Sequence, residues 1–232
     1  MENNEIPPLP DMRERNSFVF DFDSTLVSVE TLDTLIKRNL RTDEDRRKID
    51  DITKRAMNGE LDFQTSLSTR LRLARTEKKD FARMAEEIES LLTPGIDDLL
   101  NFLRQKKQEL FIVSGGFTEI VRPVARRFGI PEENCFANEY TWDSNGVVTG
   151  VRDGPLTREG GKSVVLRALK EQNRLPGVVV MTGDGMSDWQ VCADGLADVF
   201  IGCGFIVTRP NVKARSSLFV QTPSELLSLL QN

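Results

Sequence analysis

The stretch that decides the fold is Ser17-Phe18-Val19-Phe20-Asp21-Phe22-Asp23-Ser24-Thr25, an apolar run that ends in two acids and two hydroxyls. Its first four residues, with no charge and three apolar side chains, predict a buried strand. Ligands of open parallel sheets bind beyond the carboxyl ends of strands, which is where Asp21 and Asp23 fall. Two acids this close repel each other unless a cation or a shared proton intervenes, so the stretch indicates a metal, a proton-transfer pair or both. The structural alternative is an N-cap for the next helix.

Composition excludes several classes of function. The net charge of −5 argues against a nucleic-acid partner or an anionic membrane surface. The chain has no histidine, which excludes Ser-His-Asp and Cys-His catalysis and leaves acid–base work to carboxylates, Lys, Tyr or Cys. Three cysteines without CxxC spacing, an acidic N-terminus and the lack of a long apolar run predict a cytoplasmic protein without a secretory signal or membrane span.

The order of strands and helices predicts an α/β fold. From Glu109 onward the two alternate, which is typical of a Rossmann-like parallel sheet with helices on both faces. Apolar residues with helical spacing predict a first helix that begins at Leu26, followed by further helices. Residues 28–92 are therefore predicted to form a small helical cap domain inserted after the first strand. Residues 16–27 and 93–232 then form the core, and residues 1–15, with three prolines, form a loose lead-in. The Asn-Gly pair between the strand-like segments 135–142 and 147–151 predicts a β-hairpin.

Two later segments carry groups that suit an anion. Ser114-Gly115-Gly116 follows an apolar strand, and glycines before a helix leave backbone N–H groups free to cradle a phosphate. Gly160-Gly161-Lys162 opens a helix, where a lysine opposes the helix dipole and therefore favours an anionic contact. An ordinary glycine turn and a surface lysine are the alternatives.

A further strand end carries two more acids. Residues 178–181 are apolar and are followed by Thr182-Gly183-Asp184-Gly185-Met186-Ser187-Asp188. Oxygen ligands without histidine or thiolate suit Mg²⁺. A helix N-cap by Asp184 or Ser187 is the alternative reading of this segment alone.

Together these segments resemble the four ordered motifs of the haloacid dehalogenase superfamily of phosphotransferases. The resemblance covers about residues 16–230 and implies the HAD-like fold. Six further segments resemble, in order and spacing, the subfamily that hydrolyses O-phosphoserine: residues 29–33, 55–59, 63–70, 92–95, 136–138 and 201–202.

The resemblance implies a mechanism. Asp21 would attack phosphorus to form an aspartyl-phosphate, and Asp23 would protonate the departing serine oxygen and then deprotonate a water. Mg²⁺ would bind the Asp21 carboxylate, the Asp23 carbonyl and Asp184, with Asp188 assisting. The phosphoryl oxygens would be held by Ser114, Gly115, Gly116 and Lys162. Ser187 stands where many relatives carry Asn, and its hydroxyl could still hold phosphate or water.

The cap would supply specificity for O-phosphoserine. The resemblance assigns Glu30 to the ammonium group and Arg70 to the carboxylate, with Met57 and Phe63 lining the pocket and Arg209 contacting substrate. Arg70 also shares a helical face with apolar neighbours, where a charge needs a partner or ligand unless the side chain snorkels to solvent.

Other assignments stay open at this point. They are a phosphatase or phosphotransferase for another small phosphomonoester, such as phosphohomoserine, phosphothreonine or phosphoethanolamine, and a non-catalytic metal-binding interaction module on the same fold. A monomer or homodimer is expected.

Overall fold

The fold is built on a parallel sheet of six strands in the order β3-β2-β1-β6-β7-β8. The computed structural model describes residues 9–57, 60–61 and 63–232, without the side chains of residues 54, 56, 57, 63 and 64. The strands of this sheet are β1 (Ser17–Phe20), β2 (Glu109–Phe117), β3 (Cys135–Asn138), β6 (Val179–Gly183), β7 (Val199–Cys203) and β8 (Leu218–Val220). A smaller antiparallel pair is formed by β4 (Tyr140–Trp142) and β5 (Val148–Val151). The predicted α/β class is confirmed.

Strand β1 lies at the centre of the sheet, paired in parallel with β2 on one side and β6 on the other. Its side chains alternate between two hydrophobic clusters, as the period of two in a strand requires. Phe18 and Phe20 pack into the cluster on one face, and Val19 packs into the cluster on the other. A strand buried on both faces explains why its sequence has no polar interruption.

Helices cover both faces of the sheet. On the face of Phe18 and Phe20 lie α6 (Ile96–Gln105), α7 (Thr118–Arg127) and α11 (Pro223–Gln231). On the other face lie α8 (Gly161–Glu171), α9 (Met186–Ala193) and α10 (Pro210–Arg215). Across the described part of the chain, no helix combines the length and the apolar character needed to cross a bilayer.

Of the six helices that the structure describes between β1 and β2, the five before α6 lie in the region predicted as a cap: α1 (Thr31–Asn39), α2 (Asp43–Met57), α3 (Phe63–Leu73), α4 (Lys78–Glu86) and α5 (Ile88–Leu91). The expected helix start at Leu26 is wrong. The N–H groups of Leu26 and Val27 both donate to the Phe22 carbonyl in a tight turn, and Val27 then forms a β-bridge with Leu92. This bridge brings the two ends of the helical insertion side by side.

The predicted hairpin is present, but segment 135–142 is two strands rather than one. Its first half, β3, extends the parallel sheet, whereas β4 pairs with β5. The hairpin also contacts the helical insertion, because Lys78 N–H donates to the Gly146 carbonyl and Val148 N–H donates to the Thr76 carbonyl. The hairpin therefore connects the core to the N-terminal end of α4.

Candidate active site

The carboxyl ends of β1, β2 and β6 meet at one edge of the sheet, as they must in a parallel arrangement. Asp21 N–H donates to the Thr182 carbonyl over 2.9 Å, which places the acids after β1 beside those after β6. The pocket at this edge has a volume of about 410 Å³ and is lined by Asp21, Asp23, Glu30, Leu32, Asp33, Arg70, Ser114, Gly115, Gly116, Leu156, Lys162, Asp184, Gly185, Ser187 and Arg209.

Lys162 forms the most buried ion pairs of the site. Its Nζ lies 2.7 Å from Asp21 Oδ1 and 2.6 Å from Asp188 Oδ1. Burial acts to lower the pKa of this ammonium, but the two carboxylates outweigh it and raise the pKa above its usual value. Asp188 is fully buried behind the pocket, where its Oδ2 accepts the Gly185 N–H over 3.0 Å. Lys162 therefore stays charged and tethers Asp21 to Asp188.

Asp23 has the environment of an acid–base group. Its Oδ1 accepts the backbone N–H of Thr31, the first residue of α1, over 3.1 Å. Burial, followed by the nearby Asp21 charge, raises the pKa of Asp23 to about 7. A carboxyl group that titrates near neutral pH can both donate and accept a proton during a reaction.

The Ser114–Gly116 segment lies at the end of β2, which runs to Phe117 with a shift in its pairing to β3 after Val113. Gly116 N–H donates to Ser114 Oγ over 2.8 Å, and Gly115 is exposed to the pocket. A Cβ on Gly116 would lie only 3.0 Å from Ser114 Oγ and 3.4 Å from an Asp23 oxygen. The glycine therefore permits the close approach of this segment to Asp23.

Arg209 contacts two acids of the pocket. Its Nε donates to Asp184 Oδ2 over 2.9 Å, and its Nη2 lies 3.5 Å from Glu30 Oε1. Glu30 also accepts the Ser24 hydroxyl over 2.9 Å. Burial and the Asp21 charge raise the pKa of Asp184, and the Arg209 contact opposes them. The pocket thus contains a guanidinium directly against a candidate metal ligand.

Arg70 extends from α3 into the pocket, where Nη1 lies 3.2 Å from Asp33 Oδ1 on α1. Its side chain is 11% exposed, and its buried Nε has no hydrogen-bond partner among the described residues. Burial of such a donor is costly unless a ligand satisfies it. Sequence reasoning gave Asp33 no role, although it lies in one of the motif segments, because spacing does not reveal a partner 37 residues away.

The structure thus brings nearly all the described candidate residues to one pocket. Eleven of them line it, and Asp188 lies behind Lys162. The side chains of Met57 and Phe63 lie outside the described residues, so their predicted places in the pocket stay predictions. Leu32 and Leu156 also line the pocket. Leu32 lies in the motif segment 29–33 but was given no role, and Leu156 had no signal in the sequence beyond its apolar character.

The acids of the site fit a divalent cation. Asp21, Asp184 and Asp188 are buried and offer carboxylate oxygens that all lie within 4.8 Å of one another. Such a cluster needs positive charge to keep its members ionised, and Lys162 and Arg209 supply it on two sides. Hard oxygen donors without histidine or thiolate suit hard divalent cations such as Mg²⁺, Ca²⁺ and Mn²⁺.

Comparison with known proteins gives consistent similarities. Residues 18–192 match the family described as haloacid dehalogenase-like hydrolase. The chain is 36% identical to the phosphoserine phosphatase of Bos taurus, over 91% of this chain and 92% of that protein.

Solved structures show the same similarity to phosphoserine phosphatases. A phosphoserine phosphohydrolase-like protein from Francisella tularensis is 32% identical with a TM-score of 0.75, covering 93% of this chain and 99% of that one. A phospho-aspartyl intermediate analogue of phosphoserine phosphatase is 25% identical with a TM-score of 0.71, covering 93% and 98%.

Proposed function

Because the chain belongs to the haloacid dehalogenase-like hydrolase family, we propose that it hydrolyses O-phospho-L-serine to L-serine and phosphate with Mg²⁺ as its metal. The observation that carries the proposal is the content of one pocket. The candidate nucleophile Asp21 and the candidate phosphate cradle, formed by Ser114–Gly116 and Lys162, line it together with Glu30 and Arg70. The charges of Glu30 and Arg70 are opposite to those of an amino acid's ammonium and carboxylate. Both ends of phosphoserine therefore find complementary chemistry in the same cavity.

Asp21 is the proposed nucleophile. Its carboxylate oxygen attacks phosphorus, the bond from phosphorus to the serine oxygen breaks, and an aspartyl-phosphate forms. The 2.7 Å contact with Lys162 supports this role, because the ammonium group balances the charge of the carboxylate and fixes its orientation. Water then attacks the phosphorus, which releases phosphate and restores Asp21.

Asp23 is the proposed proton carrier. It donates a proton to the serine oxygen as that group leaves, and it takes a proton from the water that hydrolyses the intermediate. Its raised pKa supports the first step, because the carboxyl group holds its proton near neutral pH until the leaving oxygen needs it. The proton taken from water returns Asp23 to its starting state.

The phosphoryl oxygens are held by the Ser114 hydroxyl, the backbone N–H of Gly115 and Lys162, with Ser187 as a further hydroxyl, whereas the Gly116 N–H already donates to Ser114 Oγ. Preorganised donors of this kind stabilise the charge that develops in the transition state. The Mg²⁺ would be held by Asp21, Asp184 and Asp188 with the Asp23 carbonyl. When bound, it neutralises repulsion between carboxylate and phosphate and polarises the phosphoryl group.

Specificity is proposed to depend on Glu30 and Arg70. The buried Nε of Arg70 has no hydrogen-bond partner among the described residues, which supports carboxylate binding, because a planar guanidinium pairs well with a carboxylate. Its partner Asp33 is 48% exposed, and an ion pair with a partner this exposed contributes little stability. Replacement of Asp33 by a substrate carboxylate therefore costs little. Arg209, together with Met57 and Phe63, would complete the pocket around the serine portion.

The proposal is tested by phosphate release from phosphoserine, phosphothreonine, phosphohomoserine, phosphoethanolamine and p-nitrophenyl phosphate, with and without Mg²⁺. Phosphoserine should be the best substrate, and turnover should need the metal. Asp21→Asn should abolish turnover of every ester. Equal rates across the five esters would refute the serine assignment.

A matched pair of variants tests the carboxylate site. Arg70→Ala should lower kcat/KM for phosphoserine far more than for p-nitrophenyl phosphate, which has no carboxylate to bind. Arg72→Ala removes the same charge from an exposed position of α3 and should change neither. Equal losses on both substrates would show that Arg70 does not bind the carboxylate.

A cytoplasmic location is also proposed, supported by three free cysteines, which suit a reducing compartment. Cell fractionation tests it. The expected monomer or homodimer is a separate prediction, tested by light scattering during size-exclusion chromatography.

A further inference from the structure

Asn138, the last residue of β3, lies directly behind the phosphate cradle formed by Ser114–Gly116 and Lys162. It is only 4% exposed, and its side-chain amide nitrogen donates to two carbonyls from different segments. The Gly115 carbonyl accepts over 2.9 Å and the Leu156 carbonyl over 3.3 Å. An amide NH₂ has two hydrogens, so one side chain satisfies both acceptors.

The first bond fixes the cradle itself. The peptide unit between Gly115 and Gly116 is held at both ends, because its carbonyl accepts from Asn138 and its N–H donates to Ser114 Oγ over 2.8 Å. Glycine has wide conformational freedom, so this peptide would otherwise rotate easily. Because Ser114 Oγ is the acceptor in this bond, its own hydroxyl hydrogen remains available to donate to a phosphoryl oxygen.

The second bond reaches the lysine side of the cradle. Leu156 belongs to a single 3₁₀ turn, Pro155–Thr157, that packs against the first residue of α8. The approach is so close that a Cβ on Gly161 would collide with the Pro155 carbonyl. Lys162 follows Gly161 directly, so the position of this turn determines where the ammonium group enters the pocket.

We infer that Asn138 is a positioning residue that holds the two halves of the phosphate cradle, Ser114–Gly116 and the α8 start with Lys162, in register. The inference rests on the proposed function. Asn138 is absent from the lining of the catalytic pocket and acts only through the backbone of Gly115 and Leu156. Misplacement of catalytic donors by about 1 Å can reduce a rate by about 100-fold, so a residue with this task matters without touching substrate.

The chain offers a matched control in Asn134. It is similarly buried at 6% exposure, and its side-chain nitrogen donates to the Leu110 carbonyl of β2 over 3.1 Å. Leu110 lies near the opposite end of β2 from Gly115. Loss of either asparagine therefore removes a buried hydrogen bond to the same strand, but only Asn138 contacts the cradle.

The test compares Asn138→Asp and Asn138→Ser with Asn134→Asp and Asn134→Ser. Orthovanadate inhibition reports on the cradle, and binding of L-serine reports on the other end of the pocket. The Asn138 variants should lower kcat/KM for phosphoserine and weaken vanadate inhibition by at least about tenfold, with L-serine affinity changed less than about twofold. The Asn134 variants should change none of these by more than about twofold. Both Ser variants should unfold at lower temperature, whereas Asn134→Asp keeps an acceptor for Arg174, which lies 3.0 Å from Asn134 Oδ1.

Asn138→Ser adds no charge to the buried position and serves if the Asp variant does not fold. Folded Asn138 variants with wild-type vanadate inhibition, or Asn134 variants with the same loss, would overturn the inference. An equal weakening of vanadate and L-serine would also overturn it, because it indicates general loosening of the pocket. Failure of the wild-type protein to release phosphate from any ester would instead refute the proposed function.

Discussion

Arg209 Nε donates to Asp184 Oδ2 over 2.9 Å, so a guanidinium occupies one face of a carboxylate that is a candidate metal ligand. The same side chain approaches Glu30, the candidate partner of a substrate ammonium. Arg209 is thus an internal cation beside two groups that are proposed to bind external cations. Like charges repel, so a metal ion on Asp184 weakens this ion pair.

Replacement of Arg209 by glutamine should tighten Mg²⁺ binding. The variant removes a competing cation from Asp184, and the Arg209 side chain is 45% exposed, so the gain should be only about twofold to fivefold. Isothermal titration with Mg²⁺ alone measures the change without turnover. Arg215→Gln removes the same charge from an exposed position at the end of α10 and should have little effect. Weaker Mg²⁺ binding by Arg209→Gln would show that Arg209 supports Asp184 rather than competing with metal.

Lys162→Met should destabilise the protein as well as inactivate it. Methionine keeps the apolar stem but leaves Asp21 and Asp188 buried without their cation. Removal of one partner from a buried ion pair costs about 3–5 kcal/mol in the free energy of unfolding. Urea denaturation measures this cost, and Arg167→Met on the exposed side of α8 should change stability by less than about 0.5 kcal/mol.

A double variant separates loss of charge balance from loss of packing. Lys162→Met with Asp188→Asn has one fewer uncompensated carboxylate, so it should be more stable than Lys162→Met alone. If the double variant is less stable than the single one, packing rather than charge controls stability at this position.

The sequence predicted the strand that ends at Phe20 and the α/β class because burial and strand period are local properties of the chain. It did not predict that segment 135–142 divides between two sheets. Both halves have strand-like residues, and the choice of a partner strand depends on tertiary contacts that local pattern does not contain. The helix start at Leu26 failed for a similar reason, since the turn at Phe22 and the bridge from Val27 to Leu92 replace helical bonds there.

The site shows the same limit. The acids, the glycine segment and Lys162 could be proposed from their positions after strands or at helix starts. The pairs Arg70–Asp33 and Arg209–Asp184 could not, because they join different elements at sequence separations of 37 and 25 residues. Nothing in the spacing of Asn138 indicated that its amide would bridge Gly115 and Leu156.

Asp23 should make the metal-free protein less stable as pH rises. Its pKa is raised from 3.8 to about 7 in the folded state, so the folded protein binds a proton that the unfolded chain releases. The free energy of unfolding should therefore fall between about pH 4 and about pH 7, with a slope from this group of up to about 1.4 kcal/mol per pH unit. Urea denaturation in EDTA across this range measures the slope.

The contribution of Asp23 is isolated by difference. Asp23→Asn cannot titrate, so its unfolding free energy should depend less steeply on pH than that of the wild type. Asp98→Asn, at an exposed position of α6, should keep the wild-type slope. Equal slopes for wild type and Asp23→Asn would mean that the pKa of Asp23 is the same in the folded protein as in the unfolded chain.

The two glycines before Lys162 should respond differently to alanine. Gly161 faces the Pro155 carbonyl so closely that a Cβ must push the 3₁₀ turn or the start of α8 away. Gly160 has open space around its Cβ position but a left-handed φ of +72°, which costs a non-glycine residue roughly 1 kcal/mol. Gly161→Ala should therefore displace Lys162, whereas Gly160→Ala should mainly lower stability.

Steady-state kinetics with phosphoserine separates these effects. Because small errors in the position of a catalytic group reduce turnover steeply, Gly161→Ala should lower kcat by at least about tenfold, and Gly160→Ala should keep kcat within about twofold of wild type. Thermal unfolding accounts for the stability lost by each variant. A wild-type kcat in folded Gly161→Ala would mean that the 3₁₀ turn shifts to accommodate the Cβ while Lys162 keeps its position. The turn would then have no influence on the position of the ammonium group.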